Sequence, residues 1–376
     1  GRRPHRGQKP SWTMDDGGCR MNALGALQER RKTLAHRFAW FEGALSATAA
    51  TLAFLVASAL FFAVLGRSPV PLLLELVEGA FGSAYGISET LVKTTPILFC
   101  ALATALPARL GLLTVGASGQ FYMGAWLGTA MFLYGDPQPT IFLVLTVFVG
   151  ACLGGAIWSS ISGFLKAHLE VNETLATLLL NYVASLLVDW VVYGPWRDPA
   201  NLGWPATRSF PDSVKLPTLI DGSRLHAGLL VAVGLAVVLH VVLTRSRWGL
   251  ALRILKSNRA LGVGAGFSWI ANVALVMAIG GAIAGLAGIL EATMVHGRLQ
   301  SGIALNYGIT GFLVAWMAGQ HMLRIIPLAV AMGALMSASD ALQLFAQLPE
   351  STSIVLQSLL FISVLVTGGL LARGRS

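Results

Sequence analysis

Ten apolar runs, most of them close to twenty residues long, leave this sequence few ways to fold. They lie at Gly43–Leu65, Thr90–Leu106, Leu112–Tyr134, Ile141–Leu165, Thr174–Tyr193, Ala227–Leu243, Ile270–Leu290, Leu305–Ala318, Ile325–Phe345 and Ser353–Leu371. About twenty apolar residues in helical form cross the hydrocarbon of a bilayer, where every peptide N–H and C=O must be paired internally. The chain is 55% hydrophobic and only 11% charged, against about 25% charged in soluble domains. The pattern predicts an all-α polytopic membrane protein of about ten transmembrane helices, one of them short and one or more broken.

The break is expected in the third run. Ala108 to Gly128 reads ARLGLLTVGASGQFYMGAWLG. Gly116 and Gly119 weaken a helix there, and Thr114, Ser118 and Gln120 offer polar groups beside them. One reading is a discontinuous helix facing a translocation path. The other is an ordinary span with a small-residue packing face, since Gly124 and Gly128 are spaced for helix contact.

Charge gives a topology. Nineteen of the 26 Lys and Arg fall on segments of one side if the N-terminus is cytoplasmic, the asymmetry that orients membrane proteins. Both termini are then expected inside, and the net charge of +9 needs no nucleic acid to explain it. Residues 1–42 form a basic N-terminal segment: the first twenty or so residues read as disordered, Asn22–His36 as an amphipathic helix on the inner leaflet, and Met14 and Met21 as alternative starts. Residues 43–376 form the transmembrane domain. Its outer loop, 194–226, carries five prolines that forbid a long helix. Trp196 and Trp204 there suit the membrane boundary or a docking surface. The inner loop, 244–268, predicts a helix over Leu250–Leu261 with Arg253, Lys256 and Arg259 on one basic face. Gly262, Gly264 and Gly266 would end it. It is either a docking element for a cytoplasmic partner or a solvated loop.

Chemistry is sparse within the spans. Asp189, His240, Glu291 and Asp340 stand near span ends, where no midplane proton relay forms. Neutral groups are commoner: Thr104, Thr114, Ser118, Gln120, Asn181, Ser185, Asn272, Asn306 and Gln343. They suit a path for an uncharged, hydroxyl-rich solute, or hydrogen bonding between helices. A faint echo links Gly116-Ala-Ser118-Gly119 with Gly308-Ile-Thr310-Gly311. Cys19, Cys100 and Cys152 are too scattered for disulfides or zinc. No phosphate loop or zinc-protease motif occurs, so if nucleotide energy is used, another chain must supply it. Paired catalytic carboxylates are missing too, which argues against an intramembrane enzyme.

Four ordered stretches resemble permeases of the simple-sugar and nucleoside uptake group of ABC transporters, in the ribose/branched-chain amino acid permease superfamily. They are Glu78–Tyr85 with Ser88–Pro96, the Gly116-x-x-Gly119-Gln120-x-x-Met123-Gly124 core, Val171-Asn172-Glu173-Thr174 through Thr177 to Asn181-Tyr182, and Gly194-Pro195 with Asp198-Pro199. Trp248-Gly249 to Arg253 with Asn258 is similar to the family's coupling segment. The Gly-Pro-x-x-Asp-Pro element points to the nucleoside branch. The sequence departs from the family pattern at Thr114 and Ser118, where Asn and Glu are usual, and at Arg259, where Pro is usual.

The resemblance implies a transport subunit and not an enzyme, with no cofactor of its own; ATP and magnesium would be used by a partner ATPase. Thr114, Ser118, Gly119, Gln120, Asn172, Asn181 and Asn306 would border the solute path. Arg253, Lys256, Asn258, Arg259 and Gly262 would couple to the cytoplasmic ATPase. A second related permease, different in preference to identical, and an extracytoplasmic solute-binding lipoprotein would complete an importer in a bacterial inner membrane. The rival reading is a stand-alone, ion-coupled carrier of small uncharged polar solutes.

Overall fold

A computed structural model describes residues 48–373 apart from 136–139, 202, 221, 305 and 350. The basic segment 1–42, with the disorder and the amphipathic helix expected there, lies outside the described residues. Contacts divide the chain into residues 55–362 and a second unit of 1–54 with 363–376. The described parts of the second unit, 48–54 and 363–373, are helical.

The described residues form thirteen α-helices and no strand, only two isolated bridges. They are α1 (Thr48–Val64), α2 (Pro69–Phe81), α3 (Ala84–Ala108), α4 (Ala117–Tyr134), α5 (Thr140–Leu169), α6 (Glu173–Tyr193), α7 (Gly228–Arg245), α8 (Arg247–Ser257), α9 (Arg259–Gly264), α10 (Trp269–Leu290), α11 (Tyr307–Met317), α12 (Met322–Ala346) and α13 (Ser351–Arg373). Each of the ten apolar runs coincides with one helix: α1, α3 to α7, and α10 to α13. Six helices are long and apolar enough to cross a membrane, and α1, α11 and the apolar part of α13 are shorter. The protein is a polytopic all-α membrane protein.

Two bundles of contact organise the unit 55–362. In one, α3 is surrounded by α12, α10, α11 and α7, and almost all of its side chains are buried. In the other, α4, α5 and α10 close on a seam of glycines. A Cβ on Gly124 would lie 2.1 Å from the Cα of Gly285, and one on Gly155 would lie 2.1 Å from the carbonyl oxygen of Gly281. Backbones meet backbones there, as small residues permit in the absence of a hydrophobic force between helices in lipid.

Four local readings need revision. Helix α2 falls in no apolar run, because Glu75 and Glu78 interrupt its hydropathy; Pro69 starts it at the position where a missing N–H costs nothing. The basic-faced helix Leu250–Leu261 is two helices, α8 and α9. Asn258 divides them: its N–H caps α8 by donating to the Ile254 carbonyl, while its side chain accepts from the Leu261 N–H and opens α9. Arg253, Lys256 and Arg259 therefore share no single face. Trp196 is no boundary anchor: it is 9% exposed, stacks on Trp126 at 5.8 Å and donates to the Tyr134 hydroxyl. Trp204, at 62%, is exposed as expected. Finally, the break in the third run falls at Leu112–Gly116, which is non-helical and ends in a turn, whereas Gly119 sits inside the first turn of α4.

Candidate functional site

A non-helical stretch of chain inside an apolar bundle has peptide groups with no helical partner. Here α6 supplies them. Its residues Glu173, Thr174, Thr177 and Asn181 lie on one face by helical spacing, and each bonds the backbone of the segment before α4. The Leu113 N–H donates to Glu173 Oε1 at 3.1 Å, and the Thr174 hydroxyl donates to the Leu113 carbonyl at 2.7 Å. The Val115 N–H donates to the Thr177 hydroxyl at 3.2 Å. Asn181 bonds twice: its Oδ1 accepts from the Gly119 N–H at 2.7 Å and its Nδ2 donates to the Val115 carbonyl at 2.8 Å. Asn172 caps the same helix by accepting from the N–H groups of Thr174 and Leu175. Lys166, at the end of α5, holds the second oxygen of Glu173 at 2.8 Å. The Asn-Glu-Thr…Thr…Asn pattern is a side-chain ladder that lets a broken helix exist where bare backbone is costly.

The break aims α4 at a second helix start. Asn306 takes a left-handed conformation, φ 62°, and α11 begins at the next residue. A Cβ on Gly308 would fall 2.2 Å from Ser118 Oγ and 2.3 Å from its backbone nitrogen. The two segments of the sequence echo thus meet, first turn against first turn. Around the meeting point Gln120 donates to the Ser159 hydroxyl, and the Thr310 hydroxyl donates to Gln357. Ser118, Gly119, Gln120 and Asn181 come together; Asn172 stands two turns away at the α6 start. Thr114 is buried within the non-helical segment, and Asn306 is exposed.

The Glu89 end of α3 carries ion pairs. Arg224 grips Glu89 through Nε and Nη2, and Lys93 pairs with Asp340. Glu89, Arg224 and Asp340 line a cavity of about 780 Å³ together with residues of α2 and the end of α12, Leu344 and Phe345 among them. Nearby, Glu291 is 2% exposed in a π-helical turn and accepts from the Tyr307 hydroxyl at 3.3 Å.

The α8–α9 loop lies at the Ala108 end. Lys256 Nζ donates to the Ala108 carbonyl at 2.9 Å and to Gln320 Oε1 at 3.1 Å. Desolvation, with Arg109 nearby, pushes its ammonium below the usual lysine range. Arg259 pairs with Glu170 at 3.1 Å and lies 4.8 Å over the Trp269 ring. Gly262 is buried against Leu255, whereas Arg253, Leu261 and Val263 are exposed. Trp248 donates to Asn272, joining α8 to α10.

Glu173, Thr174 and Thr177 belong to one of the stretches that carry the family resemblance but are not among the expected path residues. Their spacing with Asn181 was the available signal, because polar side chains repeating every four residues mark one face. Glu89 with Arg224, 135 positions apart, left no signal of that kind.

A family model described as branched-chain amino acid transport system / permease component matches residues 86–365. The chain is 32% identical to a guanosine ABC transporter permease protein of Bacillus subtilis, over 75% of this chain and 81% of that one. It is 30% identical to a glucose ABC transporter permease protein of Haloferax volcanii, over 76% and 77% of the two chains. It is 26% identical to a nucleoside ABC transporter permease protein of Lactococcus lactis, over 81% and 85%.

Proposed function

We infer that this chain, which belongs to the branched-chain amino acid transport system / permease component family, is the transmembrane permease subunit of an ATP-driven importer for nucleosides or related simple sugars. The family match across residues 86–365 carries the reading, and relatives named for guanosine, nucleosides and glucose set the substrate class.

The polar residues of the broken-helix region, Thr114, Ser118, Gly119, Gln120, Asn172, Asn181 and Asn306, offer hydroxyl, amide and peptide groups and no net charge. A sugar hydroxyl leaving water needs replacement hydrogen bonds one for one, and such groups provide them without the cost of an unpaired buried ion. The sequence carries no phosphate-loop motif. A cytoplasmic ATPase using ATP and magnesium would dock on the α8–α9 loop, against Arg253, Asn258 and the stretch around Gly262. Closure of the ATPase would displace that loop and re-orient the spans in alternating access. A second, non-identical permease and an extracytoplasmic solute-binding lipoprotein complete the proposed assembly, in a bacterial inner membrane with both termini cytoplasmic.

The test is uptake of labelled guanosine, adenosine and glucose by proteoliposomes. The chain reconstituted with its ATPase and permease partners is expected to accumulate at least one of them only when ATP is supplied. Accumulation by this chain alone under a sodium or proton gradient would replace the reading with a stand-alone secondary carrier.

A further inference from the structure

The α8–α9 loop has more than one connection to the bundle, and they differ in strength. Arg259 and Glu170 are 52% and 75% exposed. An ion pair so open contributes little, typically ~0–1 kcal/mol. Lys256 is exposed too, but its bonding differs. Its ammonium donates to the carbonyl of Ala108, the last residue of α3, and to the side chain of Gln320. The final carbonyls of a helix have no intrahelical donor and carry the negative end of its dipole, so a cation placed there makes a charge-assisted bond. The stem packs as well, since a Cβ on Gly111 would touch Lys256 Cγ at 3.4 Å.

Both acceptors are tied into the bundle. Helix α3 is buried along nearly its whole length. Gln320 sits in the turn between α11 and α12, at φ 62°, with its N–H donating to the Ala315 carbonyl and the Gly319 N–H donating to the Trp316 carbonyl. Helix α11 is only eleven residues long, about 16 Å, and its far end is where Gly308 meets Ser118. A shift of α8 therefore reaches the meeting of α4 and α11 through one side chain and one short helix.

We propose that Lys256 is a positioning residue: through Gln320 and Ala108 it passes displacement of α8 to α11 and α3, and it does not contact the ATPase. This rests on the reading that α8–α9 receives the ATPase. It divides that loop by role: Lys256 is exposed as well, but its ammonium is engaged by Ala108 and Gln320, whereas Arg253, Leu261 and Val263 are exposed groups that make no bond to α3 or to the α11–α12 turn and are available for docking.

The test uses the assembled complex with a spin label at Ile309→Cys, beside Gly308 on the exposed side of α11, in a chain whose native cysteines are alanine. ATP with vanadate is expected to change the label's mobility. Lys256→Met should shrink that change at least fivefold while co-purifying as much ATPase, and Gln320→Met should do the same. Lys256→Arg should restore it. A full response from Lys256→Met overturns the proposal. So does loss of bound ATPase from Lys256→Met, which would make Lys256 a docking residue. If the unsubstituted chain binds no ATPase, the functional reading falls and this proposal with it.

Discussion

Asn181 shows how one side chain can hold a break in a membrane helix. It satisfies the Gly119 N–H and the Val115 carbonyl together, and no helical neighbour replaces it. Asn181→Ala should orphan both groups at about 1–3 kcal/mol each, lowering the thermal midpoint of the detergent-solubilised protein. Ser185→Ala removes a hydroxyl that bonds only the Tyr182 carbonyl of its own helix, and it should stay within about 0.5 kcal/mol of the parent. Equal effects from the two would refute the ladder. The same physics explains why Gly116 and Gly119 lie opposite Thr177 and Asn181, where an added Cβ would come within 3 Å of those side chains.

Among elements, the contact of α10 with α4 and α5 makes the strictest demand. At Gly285 an added Cβ would lie 2.3 Å from the Ala151 carbonyl oxygen, and neither backbone can yield without moving a helix. Gly285→Ala should cost about 1–3 kcal/mol or more. Gly234, within α7, has nothing within 4 Å of an added Cβ. Gly234→Ala should instead add about 0.5–1 kcal/mol through helix propensity. Thermal unfolding of the two variants side by side decides whether close approach, and not glycine content, governs the seam.

At the scale of the whole molecule, the α8–α9 loop and the 194–226 loop attach to opposite ends of α3, the one through Lys256 and the other through Arg224. Cysteines at Ser257 and Trp204 should therefore react with a membrane-impermeant maleimide from opposite sides, Ser257→Cys only after the inner face is opened. Labelling of both from one side would refute the topology. Most of this architecture was legible in the sequence. Hydrocarbon tolerates long apolar helices and little else, so ten runs announced ten helices. The helix break was half legible, because Gly116 weakens a helix whatever surrounds it. What only the tertiary structure decided was partnership. Asn181 faces a non-helical backbone, Lys256 turns back to the end of α3, Trp196 is buried on Trp126, and Ser118 meets Gly308. Apolar periodicity is a local property that a chain carries in its own order. Pairing of polar groups depends on which distant residues the packing of helices brings within 3 Å, and that is settled only when the bundle closes.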